Sequence, residues 1–149
     1  MLLSLRRLWA SPPPPGLAPE RARLYRAIFL LAAAYNTAFG LWAALWPRAF
    51  FDLFGLQPPE YPAVWQCLGM MVGVYAYGYY LLARKPERYC GFIWIALAGK
   101  TFGPLGFLYS ASTGALPWSF GWICVFNDVI WWPVFWRFAL THAREPMAH

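Results

Sequence analysis

The chain has 149 residues, of which 60% are hydrophobic, 21% aromatic and only 12% charged. A water-soluble helical bundle needs a polar face on every outer helix, and this composition does not supply one. The net charge of +6 does not point to nucleic acid, because the positions of the basic residues account for it.

Residues 1–23 read as a cytoplasmic segment. Met1 to Trp9 is short, apolar and basic, lacks the features of a cleaved signal peptide, and reads as a minor amphipathic anchor on the membrane surface. Ser11 to Pro19 holds five prolines and predicts an extended polyproline II linker.

About 20 apolar residues are needed to cross ~30 Å of hydrocarbon. Four runs reach that length: Leu24 to Trp46, Ala63 to Ala83, Tyr89 to Ala111 and Trp118 to Leu140. The expected fold is all-α, an integral membrane bundle of four transmembrane helices over residues 24–140, followed by a cytoplasmic tail at 141–149. Between the first two runs, Arg48 to Phe54 predicts a short interfacial helix, opened by Pro47 and ended by Gly55. Its Phe50, Phe51 and Phe54 are placed to enter the headgroup region or to close over the bundle.

Orientation follows from charge. Of twelve Lys and Arg, ten (Arg6, Arg7, Arg21, Arg23, Arg26, Arg84, Lys85, Arg88, Arg137 and Arg144) fall on one side, and only Arg48 falls on the other. The positive-inside rule then places both termini in the cytoplasm of a cell whose inner membrane holds the protein. Trp42, Trp46, Tyr61, Trp65, Tyr109, Trp118 and Trp122 form the expected outer aromatic belt, and Tyr25, Tyr80, Tyr89 and Trp136 the inner one.

Small residues recur at helical spacing on each span, as close helix approach in lipid requires. They are Ala32, Asn36, Gly40 and Ala43; then Gly69, Gly73 and Ala76; then Ala96, Gly99, Gly103 and Gly106; then Gly121 and Cys124. These are read as inward stripes, with a contact between two copies through Gly69 and Gly73 as the alternative.

The remaining charge, Lys100, lies at the centre of the third run, and Asp128 lies at the centre of the fourth. A charge at the bilayer midplane costs ~2.5–3.5 kcal/mol on insertion scales, so both should face inward and towards each other. Asn36 and Asn127 fall at the same depth. Pro104 cannot donate to the Lys100 carbonyl, nor Pro133 to that of Val129, which frees one acceptor on each helix beside its charge. Two readings stay open. One is a buried ion pair capped by Asn36 and Asn127 that fixes helix register. The other is a midplane polar pocket made by Asn36, Lys100, Asn127 and Asp128, walled by Tyr75, Tyr77, Phe102, Trp131 and Trp132. The occupant of such a pocket is a lipid-like or quinone-like molecule, or a proton.

No metal site, cofactor site or catalytic nucleophile is legible. Cys67, Cys90 and Cys124 form no CxxC pattern, although Cys67 and Cys124 fall at similar depth. The expected partners are the bilayer, a second copy or another membrane protein.

Several segments together resemble a known group. They are Tyr35-Asn36 with Phe39-Gly40-Leu41-Trp42, Trp46-Pro47 with Phe50-Phe51, Tyr61-Pro62 with Trp65 to Met70, Gly99-Lys100 with Gly103-Pro104, and Asn127-Asp128 with Trp131-Trp132. In these the chain is similar to small four-helix bacterial membrane proteins of the DoxX-like style, over roughly Tyr25 to Leu140. The resemblance implies the same four-helix fold and no established reaction. Members often carry the label alkyl hydroperoxide reductase. Thiol-based peroxide reduction needs an accessible, acidic cysteine, and no activating base adjoins the three cysteines here.

The functions this reading supports are binding of a lipid-like or quinone-like molecule, or support of a membrane partner. Beside them stand a proton-coupled carrier using Asp128 and Lys100, and a membrane enzyme acting on an isoprenoid or quinone headgroup.

Overall fold

The computed structural model describes residues 19–143, which are helical with no strand among them. The anchor expected at Met1 to Trp9, most of the proline-rich linker and the end of the cytoplasmic tail lie outside the described residues. Seven α-helices follow in order: α1 Pro19–Leu45, α2 Ala49–Phe54, α3 Pro62–Arg84, α4 Pro86–Tyr89, α5 Phe92–Ser112, α6 Gly121–Asn127 and α7 Trp132–His142. Short 3-10 turns at Trp118–Phe120 and Val129–Trp131 flank α6. Three stretches are long and apolar enough to cross a membrane: Pro19–Leu45, Phe92–Ser112 and the interrupted Trp118–His142. α3 is as long as these but rich in glycine and tyrosine, which lowers its apolarity.

The chain divides into two compact units, residues 1–88 and 89–149. In the first, α1 begins earlier than its apolar run, with Pro19 in the first turn, where a missing N–H costs nothing. It buries Ala22, Tyr25, Arg26, Phe29, Ala32, Ala33, Asn36, Phe39, Gly40 and Ala43, a stripe with the three- and four-residue spacing of a packed helix face. α3 meets that stripe at glycine. A Cβ on Gly40 would lie 2.8 Å from the Gly69 carbonyl oxygen and 2.9 Å from Gly73 Cα, and one on Gly69 would lie 2.7 Å from Ala43 Cβ. The Gly69/Gly73 stripe is thus engaged within the chain, and Gln66 Nε2 adds a 2.7 Å bond to the Ala44 carbonyl.

The expected helix between the first two runs is present as α2. It ends at Gly55, whose φ of 61° lets its N–H reach the Asp52 carbonyl while Leu56 donates to Phe51 at 2.8 Å, a Schellman closure. Phe50 and Phe51 are buried rather than directed outward, and both pack against Trp65, at ring separations of 5.2 and 5.0 Å. Phe54, Leu53 and Trp46 remain exposed. Trp65 therefore belongs to this aromatic core and not to the outer belt, and buried Tyr25 likewise leaves the inner one. Of the other belt tryptophans, Trp46, Trp118, Trp122 and Trp136 are exposed and Trp42 is half-buried.

In the second unit, α5 buries Ile93, Ala96, Leu97, Lys100, Pro104 and Ala111. Gly99, Gly103 and Gly106, expected on the inward stripe, are exposed instead. The bulkier Ile93/Leu97/Pro104 phase wins because it removes more apolar area from contact with the surroundings. α6 approaches α5 at Gly121, where a Cβ would lie 2.8 Å from the Phe107 ring. Near the end of α7, Trp94 Nε1 donates to the Ala143 carbonyl at 3.3 Å.

Candidate functional site

The fourth apolar run breaks at its centre. α6 stops at Asn127, Asp128 takes φ −123° and ψ −61°, and the chain tightens into a 3-10 turn before α7. Pro133 explains the tightening. Its nitrogen has no hydrogen to donate to the Val129 carbonyl, so the 3-10 turn lets the Trp132 N–H take that carbonyl instead. The acceptor expected to stand free at Val129 is therefore occupied. Trp131 N–H likewise turns to the Asp128 carbonyl, at 3.1 Å.

That shift by one residue leaves the Asn127 carbonyl to a different donor, the ammonium of Lys100. Lys100 Nζ also lies 3.5 Å from Asp128 Oδ1 and 6.0 Å from the centre of the Trp131 ring. Asn127 Nδ2 donates to the same carboxylate oxygen at 2.9 Å. Both charged residues are buried, Lys100 at 5% and Asp128 at 7% exposure.

Pro104 leaves the Lys100 carbonyl without its usual helical donor, and the Trp132 indole supplies one: Nε1 donates to that oxygen at 3.1 Å. α5 and the broken helix thus exchange bonds reciprocally. A side chain of each serves the main chain of the other.

Two acceptors in the cluster are left over. Asn127 Oδ1 is buried without a hydrogen-bond partner. Its assignment is fixed by chemistry, since only the amide NH2 can face the Asp128 carboxylate favourably. Asp128 Oδ2 takes no hydrogen bond among the described residues, and a Cβ on Gly103 would lie 3.2 Å from it.

No family model, no curated protein and no solved structure matches this chain.

Lys100, Asn127 and Asp128 are brought together as their depth and spacing predict, and Trp131 and Trp132 join them. Asn36 sits in the first unit on the buried stripe of α1, 3% exposed, with Oδ1 unpartnered. Tyr75, also in the first unit, is half-buried. Two residues expected to wall the cluster are exposed. Phe102 is 70% exposed because two residues beyond Lys100 is ~200° around the helix. Tyr77 is 66% exposed and shares an outward stripe with Met70 and Val74.

Two features escape the sequence reading. Trp132 has a specific role as a donor, and its signal was the carbonyl that Pro104 frees. Arg26, assigned to the cytoplasmic rim, is only 3% exposed, and its signal was its place in phase with Ala22, Phe29 and Ala33. Cys67, Cys90 and Cys124 carry free thiols. Among the described residues, no group of three or more His, Cys, Asp or Glu side chains is placed to hold a metal.

Proposed function

We propose that this is a small multi-pass inner-membrane protein with four spans and cytoplasmic termini. In this reading the broken helix and α5 form a midplane polar site that binds the headgroup of a lipid-like or quinone-like molecule. α3 is the fourth span. Its 23 residues reach about 34 Å at 1.5 Å per residue, and its outward stripe of Met70, Met71, Val74 and Tyr77 suits lipid. The aromatic-rich α2 lies along the outer interface, with Trp46, Leu53 and Phe54 directed at headgroups. The resemblance to small DoxX-like proteins supports the same architecture.

The observation that carries the binding reading is the unpartnered Asn127 Oδ1 beside a buried ion pair. A pair that served register alone has no need of a third polar side chain with a spare acceptor, because a buried acceptor left unpaired costs about 1–3 kcal/mol. Interrupted helices in membranes are tolerated where they are buried or line a cavity.

The test is retention of a ligand by the protein purified into phosphatidylcholine nanodiscs. Native mass spectrometry of the wild type should show one added amphiphile, and Asn127→Leu should lose it while remaining folded. Equal retention by the folded variant, or none by the wild type, would refute the reading.

A carrier reading draws on the same break, since discontinuous helices place half-helix ends at the coupling-ion sites of transporters. It expects pH-dependent flux in liposomes that Asp128→Asn abolishes.

A further inference from the structure

The donors and acceptors of the cluster are unevenly used, and the imbalance specifies the headgroup. The donors that reach the carboxylate and the two freed carbonyls are engaged. Lys100 Nζ faces the Asn127 carbonyl and Asp128 Oδ1, Asn127 Nδ2 also faces Asp128 Oδ1, and Trp132 Nε1 holds the Lys100 carbonyl. What remains around the carboxylate is acceptor capacity: Asn127 Oδ1, buried with no partner, and Asp128 Oδ2, which lies 3.2 Å from where a Gly103 Cβ would stand.

A ligand that offers only acceptors, such as a ketone, an ether or a quinone carbonyl, leaves both oxygens without a donor. A ligand that offers an O–H leaves the existing bonds in place and supplies what the two oxygens lack. The charges point the same way. Lys100 and Asp128 compensate each other, so a headgroup with its own full charge would be left unpaired at the midplane, at a cost of several kcal/mol. Gly103 is exposed and borders Oδ2, so its missing side chain leaves the carboxylate approachable from that side of α5.

Building on the binding reading above, we infer that the ligand is a neutral hydroxyl-headed amphiphile that donates O–H bonds to Asp128 Oδ2 and Asn127 Oδ1. Isoprenoid or fatty alcohols and long-tailed hydroquinones share this chemistry, and the site prefers each to its donor-free counterpart.

The experiment uses the full chain in phosphatidylcholine nanodiscs, a lipid with neither hydroxyl nor N–H. Four probes are titrated: a long-chain isoprenoid alcohol, its methyl ether, an isoprenoid-tailed hydroquinone, and the corresponding quinone. Thermal unfolding and native mass spectrometry report binding. The alcohol and the hydroquinone should each bind at least ~10-fold more tightly than the ether and the quinone, the equivalent of one hydrogen bond at ~1.4 kcal/mol. A preference confined to one donor pair identifies the source and upholds the chemistry.

Gly103→Ala puts a methyl 3.2 Å from Oδ2 without touching Lys100 or Asn127, and it should weaken the alcohol about 10-fold with the unliganded protein still folded. If ether and alcohol bind equally, and both are lost on Asn127→Leu, the donor inference falls while the binding reading stands. If none of the four probes binds, both fall.

Discussion

Replacing Lys100 and Asp128 singly and together measures what holds α5 to the broken helix. At 3.5 Å and an effective dielectric of ~20, the pair attracts by about 5 kcal/mol before desolvation. Lys100→Met strands a buried carboxylate with the Asn127 amide as its remaining partner, and it also empties the Asn127 carbonyl. Its cost should fall at the upper end of the ~3–5 kcal/mol range for a broken buried pair. Asp128→Leu leaves an ammonium that still holds the Asn127 carbonyl, so its cost should be nearer ~3 kcal/mol.

The double variant removes both charges. What it still lacks is a donor for the Asn127 carbonyl, worth about 1–3 kcal/mol. The double-mutant cycle should therefore show a coupling of ~5–7 kcal/mol, with Lys100→Met the worse of the two single changes. Denaturation of the purified protein in bicelles with an anionic detergent gives the four stabilities. Losses that add to within ~0.5 kcal/mol would show that the two residues do not interact, and the account of the site would be wrong.

Trp132→Phe keeps the ring and removes the donor to the Lys100 carbonyl, which should cost about 1–3 kcal/mol. Adding Pro104→Ala restores a backbone N–H four residues after Lys100, so in the same denaturation assay the second change should recover part of the first loss. Gly40→Ala forces a methyl to within 2.8 Å of the Gly69 oxygen and should cost about 1–3 kcal/mol. Gly73→Ala points into open space and should cost less than ~0.5 kcal/mol. With the native cysteines replaced, Lys85→Cys should resist a membrane-impermeant maleimide in intact cells, whereas Gln57→Cys and Thr113→Cys should react. The reverse pattern would overturn the proposed orientation.

Helix positions were legible because apolar run length and small-residue spacing are local properties. The Gly40, Gly69 and Gly73 approach follows from residues that have no side chain to interpose. The Lys100 and Asp128 contact was legible for an energetic reason: neither charge tolerates lipid, and each has no other partner of opposite sign at its depth.

What was missed depends on the exact rotation of a helix. Arg26, Tyr25 and Trp65 sit near span ends, where residue type suggests a rim or a belt, and only the phase of the neighbouring buried residues places them inward. Gly99, Gly103 and Gly106 went the other way, since a stripe of small residues competes with a bulkier one on the same helix. The break at Asp128 was half legible. Pro133 announces a lost bond, but whether a helix answers with a free carbonyl or a 3-10 turn is decided by a neighbour able to serve the displaced carbonyl, here the Lys100 ammonium at Asn127.

The exchange of bonds between α5 and the broken helix also constrains how the chain is made. α5 emerges from the ribosome carrying a central ammonium whose carboxylate partner lies 28 residues downstream. α6 and α7 have only seven and eleven residues, each well short of the ~20 that cross hydrocarbon. Neither half is suited to lipid alone, so the two segments should leave the insertion machinery as a hairpin rather than in sequence. In nascent chains arrested before Asp128 emerges, Thr113→Cys should not yet react with a membrane-impermeant maleimide from outside, and in chains long enough to expose all of α7 it should react.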